Sequence, residues 1–440
     1  MSANNLKELV LPQSSKDWFV GDRFGMFIHF GLYALPARHE WVQSYEEITG
    51  SEYRKYFENF NPDLYDPREW ARKAREAGMK YVVLTAKHHD GFCLFDSAYT
   101  DYKSTNTPYG KDLLQPFVEA FRAEGLRIGF YYSLIDWHHP DFTIDVFHPD
   151  RNHPDVARLN EGRDMKRYAL YMRNQVTELL SRYGEIDILW FDFSYAHRDY
   201  KGLPGKGRDD WQSEELLKHV RSLQPDVIIN NRLDLIDQPG YFPDITTPEQ
   251  YQPRKAPLIK EQAVTWESCH TFSGSWGYFR DEDAWKSPEQ LIKLLINTVA
   301  LNGNLLMNVG PTGRGTFDHR ADVALSAYGD WMKLHGRAIY GAEPSELSPP
   351  EGCRFTQKGN RLYLHVMDWP FRHIHLDGMA GKIAYAQFLH DASEVRWLSH
   401  EEEVDPNIGV AVPDGSMTLE LPVRKPNVIV PVIEIVLSDR

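Results

Sequence analysis

The chain has 440 residues, more than one hydrophobic core usually organises, so two domains are expected, one of them large enough to be a barrel. Asp and Glu number 63 against 49 Lys and Arg, giving a net charge of −14, and no run of five Lys or Arg occurs. This balance argues against nucleic acid as a partner and favours a neutral ligand.

The N-terminal residues MSANNLKELVLPQ lack the basic and then apolar segments of a secretion signal, and the sequence has no stretch of 18 apolar residues for a membrane span. Cys93, Cys269 and Cys353 are far apart and form no paired motif, which is typical of a reducing compartment. The sequence therefore predicts a cytoplasmic protein with no membrane partner.

Short runs of strand type recur between about residues 20 and 310, several of them followed by long amphipathic stretches. The runs are FGMFIHFGL (24–32), YVVLTAKHH (81–89), RIGFYYS (127–133), DILWFDFS (187–194), VIINNR (227–232), AVTWESC (263–269) and NLLMNVGP (304–311). Helices are predicted at 67–78, 113–125, 165–184, 211–223 and 287–303. This alternation predicts a parallel sheet wrapped by helices, either a barrel or a doubly wound sheet.

Polar residues at the ends of the runs favour the barrel. Nearly every run ends in His, Asp, Arg or Glu, as in IHFG, TAKHHD, LWFD, INNR and TWES. In a (β/α)8 barrel the C-terminal strand ends meet at one face and carry the active site. Only seven strands are clear, so the sequence predicts an irregular (β/α)8 TIM-like barrel, or one with a strand not recognised.

After a helical stretch at 318–341, the composition changes to alternating strands without a long helix. The strands are predicted in RLYLHVMDW, HIHLDG, KIAYAQFL, EVRWLS, GVAVP, SMTLELP and NVIVPVIEIVLSD. The segment AEPSELSPPEG marks the boundary. We therefore predict a catalytic barrel over residues 1–344 and an all-β sandwich over residues 345–440.

Asp192 ends the apolar run ILWFDFS, where an unpaired buried charge would be costly. From its position alone, it is either a structural cap of the following loop or a reacting carboxylate.

His29, His88 and His89 end the first two runs. They could be metal ligands, donors and acceptors for hydroxyl groups, or packed core residues, but neither HxH nor HExxH occurs. Glu40 and Trp41 follow closely, and a carboxylate beside an aromatic ring is suited to gripping a sugar. Trp41 could also simply cover a loop.

Arg232 ends the fifth run, and it could anchor a substrate hydroxyl or hold a catalytic carboxylate ionised. If the site cleaves a glycosidic bond, it needs two carboxyl groups, so Asp192 requires a partner. Glu249 lies in a proline-marked loop segment, whereas Glu267 lies at a strand end, where a structural role is more common.

The ordered series DRFGMFIHFGLYA, EW, YVVLTAKHHDGF, GFYYS, LWFD, NNR, TPE and WESC…SWGY, followed by NGNLLMNVGPTGRG, resembles the α-L-fucosidases of glycoside hydrolase family 29. The resemblance covers about residues 18–311. It implies a retaining exo-enzyme that removes terminal α-L-fucose from glycans or oligosaccharides without a cofactor or metal.

The resemblance also implies residue roles. Asp192 matches the nucleophile, and Glu249 is favoured over Glu267 as acid/base. The residues matching the fucose-binding set are His29, Glu40, Trp41, His88, His89, Tyr131, Arg232 and Trp276. Many members of the family have Gly after the nucleophile where this chain has Phe193, which puts the linkage preference in doubt.

Two other interpretations remain from the residues themselves. One is a metal-dependent barrel hydrolase that uses His29, His88, His89 and Asp192 as ligands, and the other is a non-catalytic sugar-binding protein. The sequence leaves open whether copies of the chain form a homo-oligomer and whether the β domain binds carbohydrate or only braces the barrel.

Overall fold

A computed structural model describes residues 6–399 and 415–438 of the chain. Within them, the largest sheet has seven parallel strands, each beginning in one of the apolar runs or next to it. They are β1 (Phe24–Ile28), β2 (Tyr81–Lys87), β3 (Arg127–Ser133), β4 (Ile188–Asp192), β5 (Ile228–Ile229), β6 (Trp266–Thr271) and β7 (Gly303–Val309). Their order in the sheet is β6, β7, β1, β2, β3, β4, β5.

Residues 245–249 close this curled sheet. Three isolated parallel bridges join the segment to its neighbours: Ile245 with Asn230, Thr246 with Trp266, and Glu249 with Cys269. Pro248 lacks a backbone donor, so the segment cannot form a continuous ladder. The segment takes the place of the eighth strand of the barrel, and its irregular pairing explains why only seven strands are clear in the sequence. The prediction of an irregular (β/α)8 barrel is confirmed.

Helices cover the outside of the barrel. The long ones are α1 (Gly50–Glu58), α2 (Pro67–Glu76), α3 (Leu114–Ala123), α4 (Met165–Arg182), α5 (Ser213–Leu223), α6 (Pro288–Ala300) and α7 (His319–His335). Four short α-helices are Asp17–Asp22, Val42–Tyr45, Val156–Leu159 and Arg208–Trp211. Single 3-10 turns are Lys7–Leu9, Gln13–Lys16, Leu32–Ala34, Ser104–Asn106, Pro149–Asn152, Asn231–Leu233 and Gly336–Ala338. All six predicted helical stretches contain a helix, and α1 was not predicted.

The sequence specifies several helix starts locally. Asp66 caps α2 by accepting hydrogen bonds from the backbone of Arg68 and Glu69, and Pro67 occupies the first turn. Ser287 and Gln290 form a capping box at the start of α6. No α-helix lies between residues 234 and 287, all of them described. The connections that follow β5 and β6 therefore consist of loops, one 3-10 turn and a short hairpin of Leu258–Ile259 with Gln262–Ala263, and they carry residues to the mouth of the barrel.

The C-terminal region contains seven more strands within the described residues: β8 (Cys353–Lys358), β9 (Arg361–Val366), β10 (His373–Leu376), β11 (Ile383–Phe388), β12 (Trp397–Ser399), β13 (Met417–Glu420) and β14 (Val432–Leu437). The antiparallel sheets β8-β9-β14-β11 and β10-β13-β12 share one apolar core. This confirms the predicted β-sandwich. β8 was not predicted, the predicted strand GVAVP lies outside the described residues, and the boundary between residues 344 and 345 stays a prediction.

The β region packs on α6 and α7 of the barrel. The indole of Trp331 in α7 donates a hydrogen bond to the carbonyl of Val430 at 3.0 Å. Glu343 and Gln357 exchange two backbone hydrogen bonds of 2.8 Å. Tyr363, Leu389 and Val432 join the core cluster between the barrel and its helices. The contact lies on the outer helical layer and not at the barrel mouth.

A substitution at Gly25 can test how tightly the barrel interior is packed. It lies opposite Tyr81 in the β1–β2 register, and a Cβ atom at this position would lie 2.3 Å from the tyrosine ring. We expect Gly25→Ala to lower the free energy of unfolding by about 1–3 kcal/mol in urea denaturation, as overpacked cores do. Gly21→Ala is the matched control, since its added Cβ would have no neighbour within 4 Å beyond the adjacent residues and the backbone of its own helix. Equal stability of both variants would contradict the close approach.

Candidate active site

The C-terminal ends of the barrel strands surround an open cavity. It is lined by Phe27, His29, Glu40, Trp41, His88, His89, Tyr131, Trp190, Asp192, Phe193, Glu249, Cys269 and Trp276. Nine of the ten site residues predicted from the sequence line this cavity together. The tenth, Arg232, lies just outside the lining and reaches it through its hydrogen bonds.

Phe27, Trp190 and Cys269 also line the cavity and were not predicted. Phe27 precedes His29 by two residues, and Trp190 precedes Asp192 by two. Side chains two apart on a strand share a face, so this spacing was a usable signal.

Asp192 is the last residue of β4, and both of its carboxylate oxygens accept hydrogen bonds. Its Oδ1 accepts a hydrogen bond from Arg232 Nη1 at 3.0 Å, and its Oδ2 accepts one from the hydroxyl of Tyr131 at 2.9 Å. Burial raises the pKa of Asp192 to about 7, while Arg232 and the hydrogen bond from Tyr131 act to lower it. The carboxylate is therefore held rigidly, with its charge dependent on one guanidinium.

Arg232 lies on the turn after β5 and joins the two candidate catalytic acids. Its Nη1 bonds to Asp192, and its Nη2 donates to Glu249 Oε2 at 2.9 Å and to the carbonyl of Thr247 at 3.1 Å. The guanidinium also lies over the Trp190 ring, 4.9 Å from its centroid. Nearby carboxylates raise the pKa of Arg232 above its usual value. The geometry favours its role in holding carboxylates over direct contact with a ligand.

Glu249 and Glu267 have different surroundings. Glu249 lies on the closing segment, lines the cavity and has 39% of its side chain exposed. Glu267 is fully buried in the barrel, where Tyr81 donates to its Oε2 at 2.5 Å and Trp190 donates to its Oε1 at 3.3 Å. Burial raises the pKa of Glu267 to about 7. The structure thus brings Glu249 to the cavity and leaves Glu267 outside its lining.

The hydrogen bonds of His29 define its tautomer. Asn308 donates its Nδ2–H to the carbonyl of Trp276 at 2.6 Å, so its Oδ1 faces His29 as an acceptor. His29 Nδ1 lies 2.6 Å from that oxygen and must carry the proton. Burial lowers the pKa of His29 to about 3, so the ring is neutral. Its Nε2 is left as an acceptor for a hydroxyl group.

His89 has the same arrangement. Ser133 donates its hydroxyl proton to the carbonyl of Ile135, so its Oγ accepts from His89 Nδ1 at 2.6 Å. His89 Nε2 faces Asp192 Oδ2 at 3.9 Å. Burial holds the pKa values of His88 and His89 well below the usual range. Neutral imidazoles that present lone pairs suit a ligand rich in hydroxyl groups.

Glu40 is fixed by donors from the segment after β6. Its Oε2 accepts hydrogen bonds from the Ser275 hydroxyl at 3.0 Å, from Trp276 N at 3.1 Å and from Gly277 N at 3.0 Å. A Cβ at Gly277 would lie 3.1 Å from Glu40 Cβ, so glycine permits this close approach. The same bonds place Trp276 on the cavity wall, with its ring centroid 5.2 Å from that of His29.

One wall of the cavity is aromatic. Trp41 meets Phe193, His89 and Trp137 edge-on, with centroid distances of 5.8, 4.8 and 5.4 Å. Tyr45, which is 65% exposed, stacks on the other side of Trp41 at 5.7 Å. Phe193, the residue after Asp192, therefore belongs to an apolar wall that runs from the cavity to the solvent.

Among residues 6–399 and 415–438, no three His, Cys, Asp or Glu side chains are grouped so that they could hold a metal ion. In the same part of the chain, no helix is long and apolar enough to cross a membrane.

A barrel whose strand ends carry two carboxyl groups around a hydroxyl-binding cavity is the arrangement of a glycoside hydrolase. The family model for alpha-L-fucosidase matches residues 3–337, about three quarters of the chain. The chain therefore belongs to the α-L-fucosidase family, glycoside hydrolase family 29, and it is an enzyme of that class. This confirms the resemblance found in the sequence.

Known relatives agree over nearly the whole chain. Alpha-L-fucosidase isoenzyme 1 from Paenibacillus thiaminolyticus is 43% identical, with a TM-score of 0.89 over 97% of this chain and 99% of that one. Tissue alpha-L-fucosidase of Rattus norvegicus is 28% identical over 92% of this chain and 87% of its own. A fucosidase from Bacteroides thetaiotaomicron, 26% identical with a TM-score of 0.82 over 98% of this chain and 97% of that one, is described as a trapped covalent intermediate with 2-fluoro-fucosyl fluoride in a glutamate-to-glutamine mutant.

The tautomer of His29 can be tested directly. We expect long-range ¹H–¹⁵N NMR correlations to show the Nδ1–H form between pH 5 and 8, because the pKa of about 3 keeps the ring neutral. The signal is assigned by its loss in His29→Gln. In Asn308→Leu the acceptor for Nδ1–H is gone, and the preference should decrease or reverse. An Nε2–H tautomer in the unmodified protein would contradict the hydrogen-bond assignment.

Proposed function

We propose that the protein is a retaining exo-α-L-fucosidase that releases terminal α-L-fucose from fucosylated glycans or oligosaccharides by double displacement. Asp192 is the nucleophile and Glu249 is the acid/base. The observation that carries the proposal is the guanidinium of Arg232, which bonds to both carboxylates at the edge of the cavity. It fixes the two acids relative to each other and supports the charge on Asp192.

In the first step, protonated Glu249 gives its proton to the glycosidic oxygen as the C1–O bond breaks. An oxygen of Asp192 forms a bond to C1, so that a fucosyl ester and a free alcohol result. Asp192 is the suitable nucleophile because its carboxylate is buried and held by Arg232 and Tyr131. Glu249 is the suitable acid because it lines the cavity and its side chain is partly exposed, so that a departing group and solvent can reach it.

In the second step, Glu249 takes a proton from water, the water oxygen bonds to C1, and the ester bond to Asp192 breaks. Burial, with a smaller contribution from the nearby Glu249 carboxylate, raises the pKa of Asp192 in the free site. Esterification removes the charge of Asp192, and Glu249 then acts as the base for the incoming water. Hydrolysis restores both acids to their starting state.

The remaining lining residues bind the sugar. The Nε2 atoms of His29 and His89 accept hydrogen bonds from fucose hydroxyls, and His88 and Glu40 complete the polar side of the cavity. Trp276 contributes an apolar ring for the methyl or C–H face of the fucose. Arg232, predicted from the resemblance as a ligand of the sugar, acts instead through the two acids. No cofactor takes part in this reaction.

Retention can be tested by the stereochemistry of the product. We expect ¹H NMR during hydrolysis of an aryl α-L-fucoside to show α-L-fucose first, with the β anomer appearing only through mutarotation. The covalent intermediate described for the Bacteroides thetaiotaomicron relative supports this expectation. If β-L-fucose forms first, the reaction proceeds by a single displacement, and Asp192 is then a base and not a nucleophile.

Azide rescue can distinguish the roles of Asp192 and Glu249. We expect Asp192→Gly to lose on the order of 10⁴-fold or more in kcat, because no covalent step remains. In Glu249→Gly, azide should attack the fucosyl-enzyme formed from an activated aryl fucoside and release α-fucosyl azide. In Asp192→Gly, azide should attack C1 directly and release the β isomer.

Glu267→Gly is the matched comparison for Glu249→Gly, because both remove one glutamate carboxyl from the same barrel. We expect no azide rescue of Glu267→Gly. Rescue of that variant, and not of Glu249→Gly, would transfer the acid/base role to Glu267.

We also propose that the enzyme acts on a neutral oligosaccharide in a reducing compartment such as the cytoplasm. Cys93, Cys269 and Cys353 are free thiols buried in the protein, and a reducing environment keeps them so. The net charge of −14 argues against a nucleic acid or another polyanion as the partner.

A further inference from the structure

Glu267 is a fully buried carboxylate that takes no direct part in the proposed reaction. It lies in the barrel interior below the cavity, with its Oε2 bonded to Tyr81 at 2.5 Å and its Oε1 bonded to Trp190 Nε1 at 3.3 Å. Asn304 Nδ2 approaches the Tyr81 hydroxyl at 3.4 Å and donates to the carbonyl of Phe19 at 2.7 Å. The carboxylate is thus tied to the lower part of the barrel.

Trp190 connects this buried carboxylate with the floor of the cavity. The Tyr131 ring stacks on the indole, with the centroids 5.8 Å apart and the planes 20° apart. The Arg232 guanidinium carbon lies 4.9 Å from the centroid of the same indole. Among the residues that the structure describes, Tyr131 and Arg232 are the two side chains that form hydrogen bonds with the carboxylate of Asp192. A single indole therefore supports both partners of the proposed nucleophile.

The orientation of the Trp190 indole depends in turn on the hydrogen bond of its Nε1–H. Within the described residues, Glu267 is the acceptor that its Nε1–H meets, and loss of that acceptor would leave a buried donor unsatisfied. The indole would then gain by turning toward another acceptor. Such a rotation would move the surface on which Tyr131 and Arg232 rest.

We propose that Glu267 is a positioning residue of the fucosidase reaction: it fixes the indole of Trp190, which in turn fixes Tyr131 and Arg232 against Asp192. This inference rests on the proposed function of Asp192 as nucleophile. It differs from a purely structural role because it predicts an effect on the ionisation of Asp192. Arg232 and Tyr131 both lower the pKa of Asp192, so loosening them raises it.

The test compares three variants of the intact enzyme by the pH dependence of kcat/KM. Glu267→Leu keeps much of the side-chain volume and removes the acceptor. We expect kcat to fall on the order of 10- to 100-fold with a smaller change in KM, as a misplaced reacting group causes. We also expect the acidic limb of the profile to move to higher pH.

Glu267→Gln is the conservative variant. Its amide oxygen can still accept from Trp190, and its amide nitrogen can donate to the Tyr81 oxygen, so the activity and the acidic limb should stay close to those of the unmodified enzyme. Tyr81→Phe is the matched control, because it removes the other bond to Glu267 and leaves the Trp190 bond in place. It should lower the stability without moving the acidic limb.

A variant of Trp190 keeps the test valid if Glu267→Leu is poorly folded. Trp190→Phe keeps a stacking ring and removes the Nε1–H donor, so it should move the acidic limb to higher pH even though Glu267 is intact. An acidic limb that is unmoved in both Glu267→Leu and Trp190→Phe would overturn the positioning role while leaving the proposed function intact. Normal turnover by Asp192→Gly would instead overturn the proposed function, and this inference with it.

Discussion

The active site depends on one guanidinium shared between two carboxylates. Burial alone would leave Asp192 largely protonated near neutral pH, and the charge of Glu249 adds to this effect. Arg232 opposes both influences by bonding to each acid within 3.0 Å. The arrangement is available only because residues 245–249 close the barrel and bring Glu249 and Thr247 beside the turn that carries Arg232.

The same burial that raises the pKa of Asp192 keeps the histidines neutral. Asn308 and Ser133 then decide which nitrogen of His29 and of His89 carries the proton, and in both rings Nε2 remains an acceptor. A cationic ring at His89, whose Nε2 faces Asp192 Oδ2 at 3.9 Å, would compete with Arg232 for the charge of Asp192. The site thus combines one permanent cation with neutral hydrogen-bonding groups, which suits a neutral sugar beside the charged carboxylate of Asp192.

Much of the site was predictable because the barrel places strand ends together. His29, His88 and Asp192 follow apolar runs directly, so their presence at one face follows from the fold class. Trp190 could be predicted to line the same cavity, because it lies two residues before Asp192 on one strand and therefore shares its face. Asn308 had no such signal: its importance lies in the bonds of one amide to a histidine and to the Trp276 carbonyl, and neither partner is near it in the sequence.

The sequence by itself determined the fold class, the family and most of the residues around the cavity, because periodicity and ordered motifs are local properties of the chain. Only the tertiary structure decided which glutamate reaches the cavity and which is enclosed below it. Glu249 and Glu267 are 18 positions apart: Glu249 ends the closing segment 245–249, and Glu267 is the second residue of β6. Their difference arises from pairing between an irregular segment and its neighbours, which depends on contacts that no local pattern encodes.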